Sequence, residues 1–541
     1  KQEIEICNKI LDFYGENLKD QVSQINESIK IILKSRYSTG FRVKQDKFSQ
    51  MTKIVPILKR ILEVENVDLN CVEDNYSILS FACKINEASL VEYLLKNDKV
   101  KVNLKDPKEG NTALIVSILN ENYDIAKMLI EHSGTDLNIS NYKKETALTI
   151  SVSKENEDII KKIINNSKFE ATKSRLDYAF YISSPKISKL LISSKTLDVN
   201  YLYRKVNNSH SFTSRSYSSN YFHSSEISKL CTTKLVDIAS SDNKNEYEIV
   251  DLIIQHPTFD KEKSLCKLAL FKSAENKGRI YVFKKLFALF NDNVNIIDEN
   301  GTTLLISAAM NNNDELVELI LNDPKFDCNK SLIVYAYYKS FNSMLSIKFE
   351  KYMHEHSQSI NFDYVFPDGS TIFTAIVSEI SRTKKDECTY QRKKNVSNAV
   401  NAINFLCENG ADPNKPNKQG KYPLEISMKS LAELMNTVSI ALIDSNKIDL
   451  NIKLNTNNDG KYSNSNEYYI HIAVDLNDTS ILERMLKDKS VDINIPNSDG
   501  NTPLMISCKN RNESKIKLFF TRDDLDFLHR NNEGKDALML L

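Results

Sequence analysis

Residues 300–329 read NGTTLLISAAMNNNDELVELILNDPKFDCN, and this stretch returns in altered form along most of the chain. Gly301, Thr303, Leu305 and Ala308 open a short helix, Glu315 to Leu321 form a second apolar helix, and Phe326, Asp327, Cys328 and Asn329 close the unit. The last residue of that closing element falls at Asn70, Asn103, Asn138, Thr172, Asn200, Glu262, Asn295, Asn329, Asp363, Asn414, Asn451, Asn494 and Leu528. Most intervals between these positions are 33 to 37 residues, with departures of 28, 62, 51 and 43. A fixed period in this range marks an array in which each unit packs only on its neighbours.

Local chemistry supports the same division. Glycines at 110, 301, 369, 420, 500 and 534 suit a turn that needs positive φ, and Thr112, Thr303, Thr371 and Thr502, two residues after four of them, are good helix N-caps. Pro423 and Pro503 fall in the first helical turn, where the missing N–H costs nothing. Gly410 follows a helix as a C′ residue would. In the second helices, Val91, Leu94 and Leu95, like Ile125, Met128 and Leu129, have helical rather than strand spacing.

With Gly110, Thr112, Ala113 and Leu114, with Thr146, Ala147 and Leu148, and with Gly500, Asn501, Thr502, Pro503 and Leu504, the unit resembles the ankyrin repeat. The resemblance implies an all-α solenoid of turn–helix–helix units. It covers 70–541 as about twelve units plus a truncated one, preceded by a helical N-terminal cap or coiled-coil segment at 1–69. In that segment Ile4, Leu11, Leu18, Ile25 and Ile32 recur every seven residues, which fits either a cap on the first repeat or self-association. A further helix is expected over about Lys47 to Glu63, bent by Pro56.

Departures from the period mark insertions near 207–225, 382–394 and 455–466. The first is rich in Ser and Tyr, and reads as a flexible loop or a segment that is phosphorylated or ordered by a partner. The second places Arg382, Lys384, Lys385, Arg392, Lys393 and Lys394 against Asp386 and Glu387, and is read as a loop between two helices, either simply solvated or docking an acidic or phosphate-bearing surface. After Thr172 and Asn329 the next helix follows at once, at Leu176 and Ile333, so those units are expected to lack a turn projection.

Composition bounds the function. Lys+Arg 72 balances Asp+Glu 72, so no global field draws the chain to nucleic acid or an anionic membrane, and no run of about 18 apolar residues suggests a spanning helix. Nine scattered cysteines without a C-x-x-C pair read as buried thiols in a reducing cytoplasm. His354 and His356 flank Glu355, but the metalloprotease motif needs histidines four apart on one helical face, so no metal site is expected. Phosphate-binding loops, dinucleotide fingerprints and nucleophile elbows are likewise missing from the sequence, and no cofactor or catalytic residue is expected.

The resemblance implies a non-catalytic scaffold or adaptor for other proteins, with a cytoskeletal or axonemal assembly as one setting. The alternative is the recognition arm of a larger enzyme or channel. The chain opens on Lys1 and stops at Leu541 just after a helix signal, so further domains are expected beyond both ends. Partner contacts are expected at turn positions free of core packing, namely Lys143, Lys144, Glu299, Asn300, Asp368, Lys418 and Asp499, and at the basic insertion.

Overall fold

The computed structural model describes residues 26, 29, 55–63, 66–73, 76–204, 231–241, 243–291, 293–382, 389–430, 434–454 and 468–541. The insertions at 207–225 and 455–466, Lys384, Lys385 and nearly all of the N-terminal segment lie outside these residues. Of the expected helix over Lys47 to Glu63, the part from Val55 to Leu62 is described and is helical. It packs on the helix Ala88–Leu95.

The fold is an all-α array. Helix pairs run Ile78–Lys84 with Ala88–Leu95, Ala113–Leu119 with Tyr123–Glu131, Ala147–Ser153 with Glu157–Ile164, Leu176–Ile182 with Pro185–Leu191, Lys234–Ser240 with Tyr247–Gln255, and Cys266–Glu275 with Ile280–Ala288. They continue as Leu304–Met310 with Asp314–Leu321, Ile333–Ser340 with Ser346–Glu355, Ile372–Ser381 with Thr389–Glu408, Pro423–Lys429 with Met435–Asp444, Tyr469–Asp475 with Ser480–Lys487, and Pro503–Lys509 with Glu513–Phe519. We number these repeats 1 to 12; Ala537–Leu540 is a thirteenth first helix. The described strands are two short antiparallel hairpins, Val72–Glu73 with Tyr76–Ser77 and Tyr203–Arg204 with Cys231–Thr232, which stand where repeats 1 and 5 would carry their turns.

The chain forms two compact bodies. One comprises residues up to Lys272 together with Tyr281–Leu289, and the other Ser273–Ile280 with Phe290–Leu541. In each, first helices stack on first helices and second on second, and the apolar stripes meet between them. Repeat 3 is typical, burying Ala147, Leu148, Ile150 and Val152 from its first helix and Ile159, Ile160 and Ile163 from its second.

The helix starts follow the side chains. Thr112, Thr303, Thr371 and Thr502 each accept a hydrogen bond from the N–H three residues on, as do Ser77, Thr146 and Thr233. Pro423 and Pro503 are the first residues of their helices, and Gly410 has φ +97° two residues past Glu408. Carbonyls at helix ends are capped from the next repeat. Lys515 Nζ donates to the carbonyls of Val474 and Leu476, and Lys234 Nζ to those of Tyr181 and Ser183. Burial lowers the pKa of both lysines, and these carbonyls replace the lost water.

Repeats are joined by the closing asparagines. The side-chain amide of Asn103 donates to the carbonyl of Gly134 while its oxygen accepts from the N–H of Asp136, one repeat further on. Asn70, Asn138, Asn200, Asn295, Asn329, Asn414, Asn451 and Asn494 make the same two bonds, all at 2.6–2.9 Å.

Leu504 is 2% exposed and Leu538 is 80% exposed. Leu504→Ala is therefore expected to cost about 2–5 kcal/mol and Leu538→Ala no more than about 0.5 kcal/mol. Urea unfolding followed by circular dichroism would check this, and equal losses would mean that Leu504 is not a core residue.

Candidate partner-binding surface

Among the described residues, seven repeats carry a projecting turn before the first helix, each built on one plan. Backbone N–H to carbonyl bonds close it from Asp106 to Asn111, Asn141 to Glu145, Asp298 to Thr302, Phe366 to Ser370, Asn417 to Lys421, Asn497 to Asn501 and Asn531 to Lys535. Except at Phe366, the first residue is Asp or Asn, whose side-chain oxygen also accepts backbone N–H groups of the same turn. The residue before the closing one has positive φ: Gly110, Gly301, Gly369, Gly420, Gly500, Gly534, and in one turn Lys144 at φ +64°.

Neighbouring projections are tied tip to tip. The N–H of Tyr142 donates to the Glu109 carbonyl at 2.8 Å, that of Lys418 to Gly369 at 2.7 Å, and that of Asn532 to Asp499 at 3.1 Å. Glycine is required under each tie. A Cβ at Gly110 would lie 2.7 Å from the Tyr142 ring, at Gly369 2.7 Å from Lys418 Cβ, and at Gly500 2.7 Å from the Asn532 nitrogen. Gly301 and Gly534 have open space there.

The structure sets the turn residues named from sequence on these tips, all of them exposed. In the first body, Lys143 and Lys144 share a turn, Lys143 Nζ stands 3.7 Å from Glu109, and the Lys144 carbonyl accepts from the Arg175 guanidinium. In the second body, Asp368 and Lys418 sit on tied turns, Asp499 belongs to the pair with Asn532, and Glu299 and Asn300 crown a single turn. Burial works to raise the Asp368 pKa, but hydrogen bonds from the Ser370 hydroxyl and N–H outweigh it and hold the carboxyl below its usual range. Tyr142, 60% exposed on the tip beside Lys143, was missed in the sequence.

Among the described residues three repeats, not two, lack the projection. Besides those after Thr172 and Asn329, repeat 6 has none: Ser174, Ser264 and Ser331 are each followed by a residue of positive φ, Arg175, Leu265 and Leu332, and then directly by the helix. The three serine carbonyls accept from the preceding repeat's threonine, Thr146, Thr233 and Thr303. In repeats 4 and 8 the uncovered helix carries tyrosines, capped by a ring at the same place in the next repeat. Tyr203 stacks on Tyr181 at 4.5 Å, and Phe366 packs on Tyr335 at 4.6 Å and Tyr338 at 5.4 Å. Burial, with Glu379 beside the hydroxyl, pushes the Tyr338 pKa up to about 12.

The basic insertion needs correction. Arg392, Lys393 and Lys394 are not in a loop but lie in the helix Thr389–Glu408, which starts within the insertion expected over 382–394. Gln, Arg and Lys are good helix formers, and Gln391 donates to Asn395 one turn on at 2.8 Å. Arg382 is exposed at the end of Ile372–Ser381.

The six cysteines whose state is described, Cys71, Cys83, Cys266, Cys328, Cys407 and Cys508, are free and buried. Among the described residues no cluster of three or more His, Cys, Asp or Glu could hold a metal ion, and no helix is long and apolar enough to cross a membrane. His354 and His356 turn to separate partners, the Asn409 side chain at 3.0 Å and the Tyr352 carbonyl at 2.9 Å.

Comparison with known proteins agrees with this geometry. The family model for ankyrin repeats matches residues 50–141 and 470–540 in three copies. An I-Kappa-B like protein C2 of Microplitis demolitor bracovirus (isolate Webb) is 41% identical over 44 residues, which is 8% of this chain and 24% of that protein's length. The chain thus spans about a quarter of the relative it matches.

The crowding of the glycines gives a direct check. Both Gly301→Ala and Gly500→Ala incur the left-handed backbone cost of about 1–2 kcal/mol. Only at Gly500 does the new Cβ meet backbone, Asn532 N at 2.7 Å and Asn531 Cα at 3.1 Å, which adds about 1–3 kcal/mol. Denaturation midpoints of the two variants should differ accordingly, and equal midpoints would deny the tip-to-tip packing.

Proposed function

We propose that this chain, which carries ankyrin repeats, is a non-catalytic scaffold that holds other proteins on its projecting turns. One observation carries the reading: Lys143, Lys144, Glu299, Asn300, Asp368, Lys418 and Asp499 are exposed on turns whose backbones are fixed by internal bonds. Six turns are also tied in pairs. A contact residue on a fixed backbone loses little entropy on binding, which is what a recognition surface needs. The tips alternate in sign, with Lys beside Glu in the first body and Asp beside Lys in the second, so they favour partners of matching pattern rather than any one charge. The balanced total charge gives no support to nucleic acid as a partner.

We place this activity in the reducing cytoplasm, on the evidence of six free buried thiols. The Cys266 thiol, pushed up to about 12 by burial, is packing rather than a nucleophile. A filament or axonemal protein, with its repeated surface, is the partner class that we propose for a row of turns.

Paired alanine variants at the tips, Lys143 with Lys144 and Asp368 with Lys418, are expected to weaken the complex by at least about fivefold, near 1 kcal/mol. Stability should change by no more than about 0.5 kcal/mol for the Lys143 and Lys144 pair, and by about 0.5–1.5 kcal/mol for the other pair, since Asp368 accepts hydrogen bonds from Ser370. Surface plasmon resonance with the isolated partner reads the first and urea unfolding the second. A partner footprint confined to the second helices would overturn this reading.

A further inference from the structure

Several cations of the second helices are matched by carboxylates of the adjoining repeat. Lys162 meets Glu131 at 2.5 Å, Lys186 meets Glu157 at 2.5 Å, and Lys285 meets Asp251 at 2.9 Å. Lys348 bridges Asp314 at 3.0 Å and Glu318 at 2.6 Å, and Arg484 meets Asp444 at 2.9 Å. Among the described residues Lys284, Lys351 and Lys487 are exposed without such a match, and Lys393 and Lys394 are two such cations side by side. Both are exposed, and among the described residues neither has an ion-pair partner.

Their helix is itself unusual. Thr389–Glu408 has 20 residues where its partner Ile372–Ser381 has 10, so about 15 Å of it extends past the first helix. The first helix starts beside the projecting turn, so the overhang lies at the opposite end of the repeat. Positions 390, 393, 394 and 397 follow helical spacing and share a face. That face presents Tyr390, 75% exposed, with Lys393, Lys394 and Ser397, all exposed. Arg382, also exposed, ends the preceding helix.

We propose that this overhanging face docks an acidic segment of a partner protein, at a point separate from the projecting turns; the proposal rests on the partner-binding reading above. Two unmatched ammonium groups one residue apart attract carboxylates. The neighbouring tyrosine offers an amphipathic ring that can be buried while its hydroxyl stays hydrogen-bonded, as at the centre of protein interfaces. The face is narrow and the chain as a whole is neutral. A short acidic segment therefore fits better than a duplex or a lipid surface, which call for many phosphate contacts over a wide field.

Fluorescence anisotropy with the full chain and a labelled oligoglutamate peptide tests this, with an oligoglutamine peptide as the neutral control. The expected result is binding of oligoglutamate alone, weakening as salt rises. Lys393→Glu with Lys394→Glu should lose at least about tenfold in affinity with unchanged circular dichroism, and Lys393→Arg with Lys394→Arg should retain binding. Asp368→Ala with Lys418→Ala should leave peptide binding unaltered, so failure of the turn surface and failure of this face are read separately. Unchanged affinity after charge reversal would overturn the proposal. So would tighter binding to phosphatidylserine vesicles or duplex DNA than to oligoglutamate.

Discussion

Everything in this molecule hangs from the asparagine clamp between repeats. A primary amide is a neutral side-chain group that can donate and accept at once in a single plane, so it can hold both the carbonyl and the N–H of the adjoining backbone. Asp or Glu offers only acceptors at neutral pH, and Leu offers neither. No paired clamp is made at Thr172, Glu262, Asp363 or Leu528, where the amide is missing. A typical hydrogen bond contributes about 0.5–1.5 kcal/mol net, so two per joint supply on the order of 1–3 kcal/mol. That is a substantial share of the coupling for repeats whose apolar faces are covered only by their neighbours.

The projections follow from that joint. A clamp fixes where each repeat begins, and the residues between it and the first helix then have two outcomes. A turn closed by Asp or Asn with glycine near its end stands out from the body, while a serine followed by a residue of positive φ drops straight into the helix. The second solution leaves the helix uncovered, and the rings of Tyr203 and Phe366 show how the chain covers tyrosines exposed that way. The row of turns is therefore interrupted at defined places.

Much of this was legible in the residues. The period, the threonine caps, the prolines at helix starts and the glycines all act through local sterics and hydrogen bonds, which a sequence displays directly. Repeat 4 betrayed its missing turn by the short interval of 28 residues from Thr172 to Asn200. Repeat 6 hid the same feature because longer helices, Cys266–Glu275 and Ile280–Ala288, restored the interval to 33. Arg392, Lys393 and Lys394 were read as a loop because a charge run dominated the reading, although their helix propensity pointed the other way. The ties between Tyr142 and Glu109, or between Asn532 and Asp499, use backbone atoms and leave no side-chain signature except the glycine beneath.

The clamp also explains how such a chain can grow new parts. Asn103 and its target carbonyl are 31 residues apart, Asn451 and its target 39, and Asn200 and its target 58, yet the bonds are alike. The amide senses a neighbour in space and is indifferent to how much chain lies between. Extra residues can therefore enter a repeat at the turn without loosening the joint. Natural variation is free to try loops of new length and charge at this port while the frame keeps its stability, whereas the helix Thr389–Glu408 lies in a repeat whose opening residue, Asp363, makes no paired clamp.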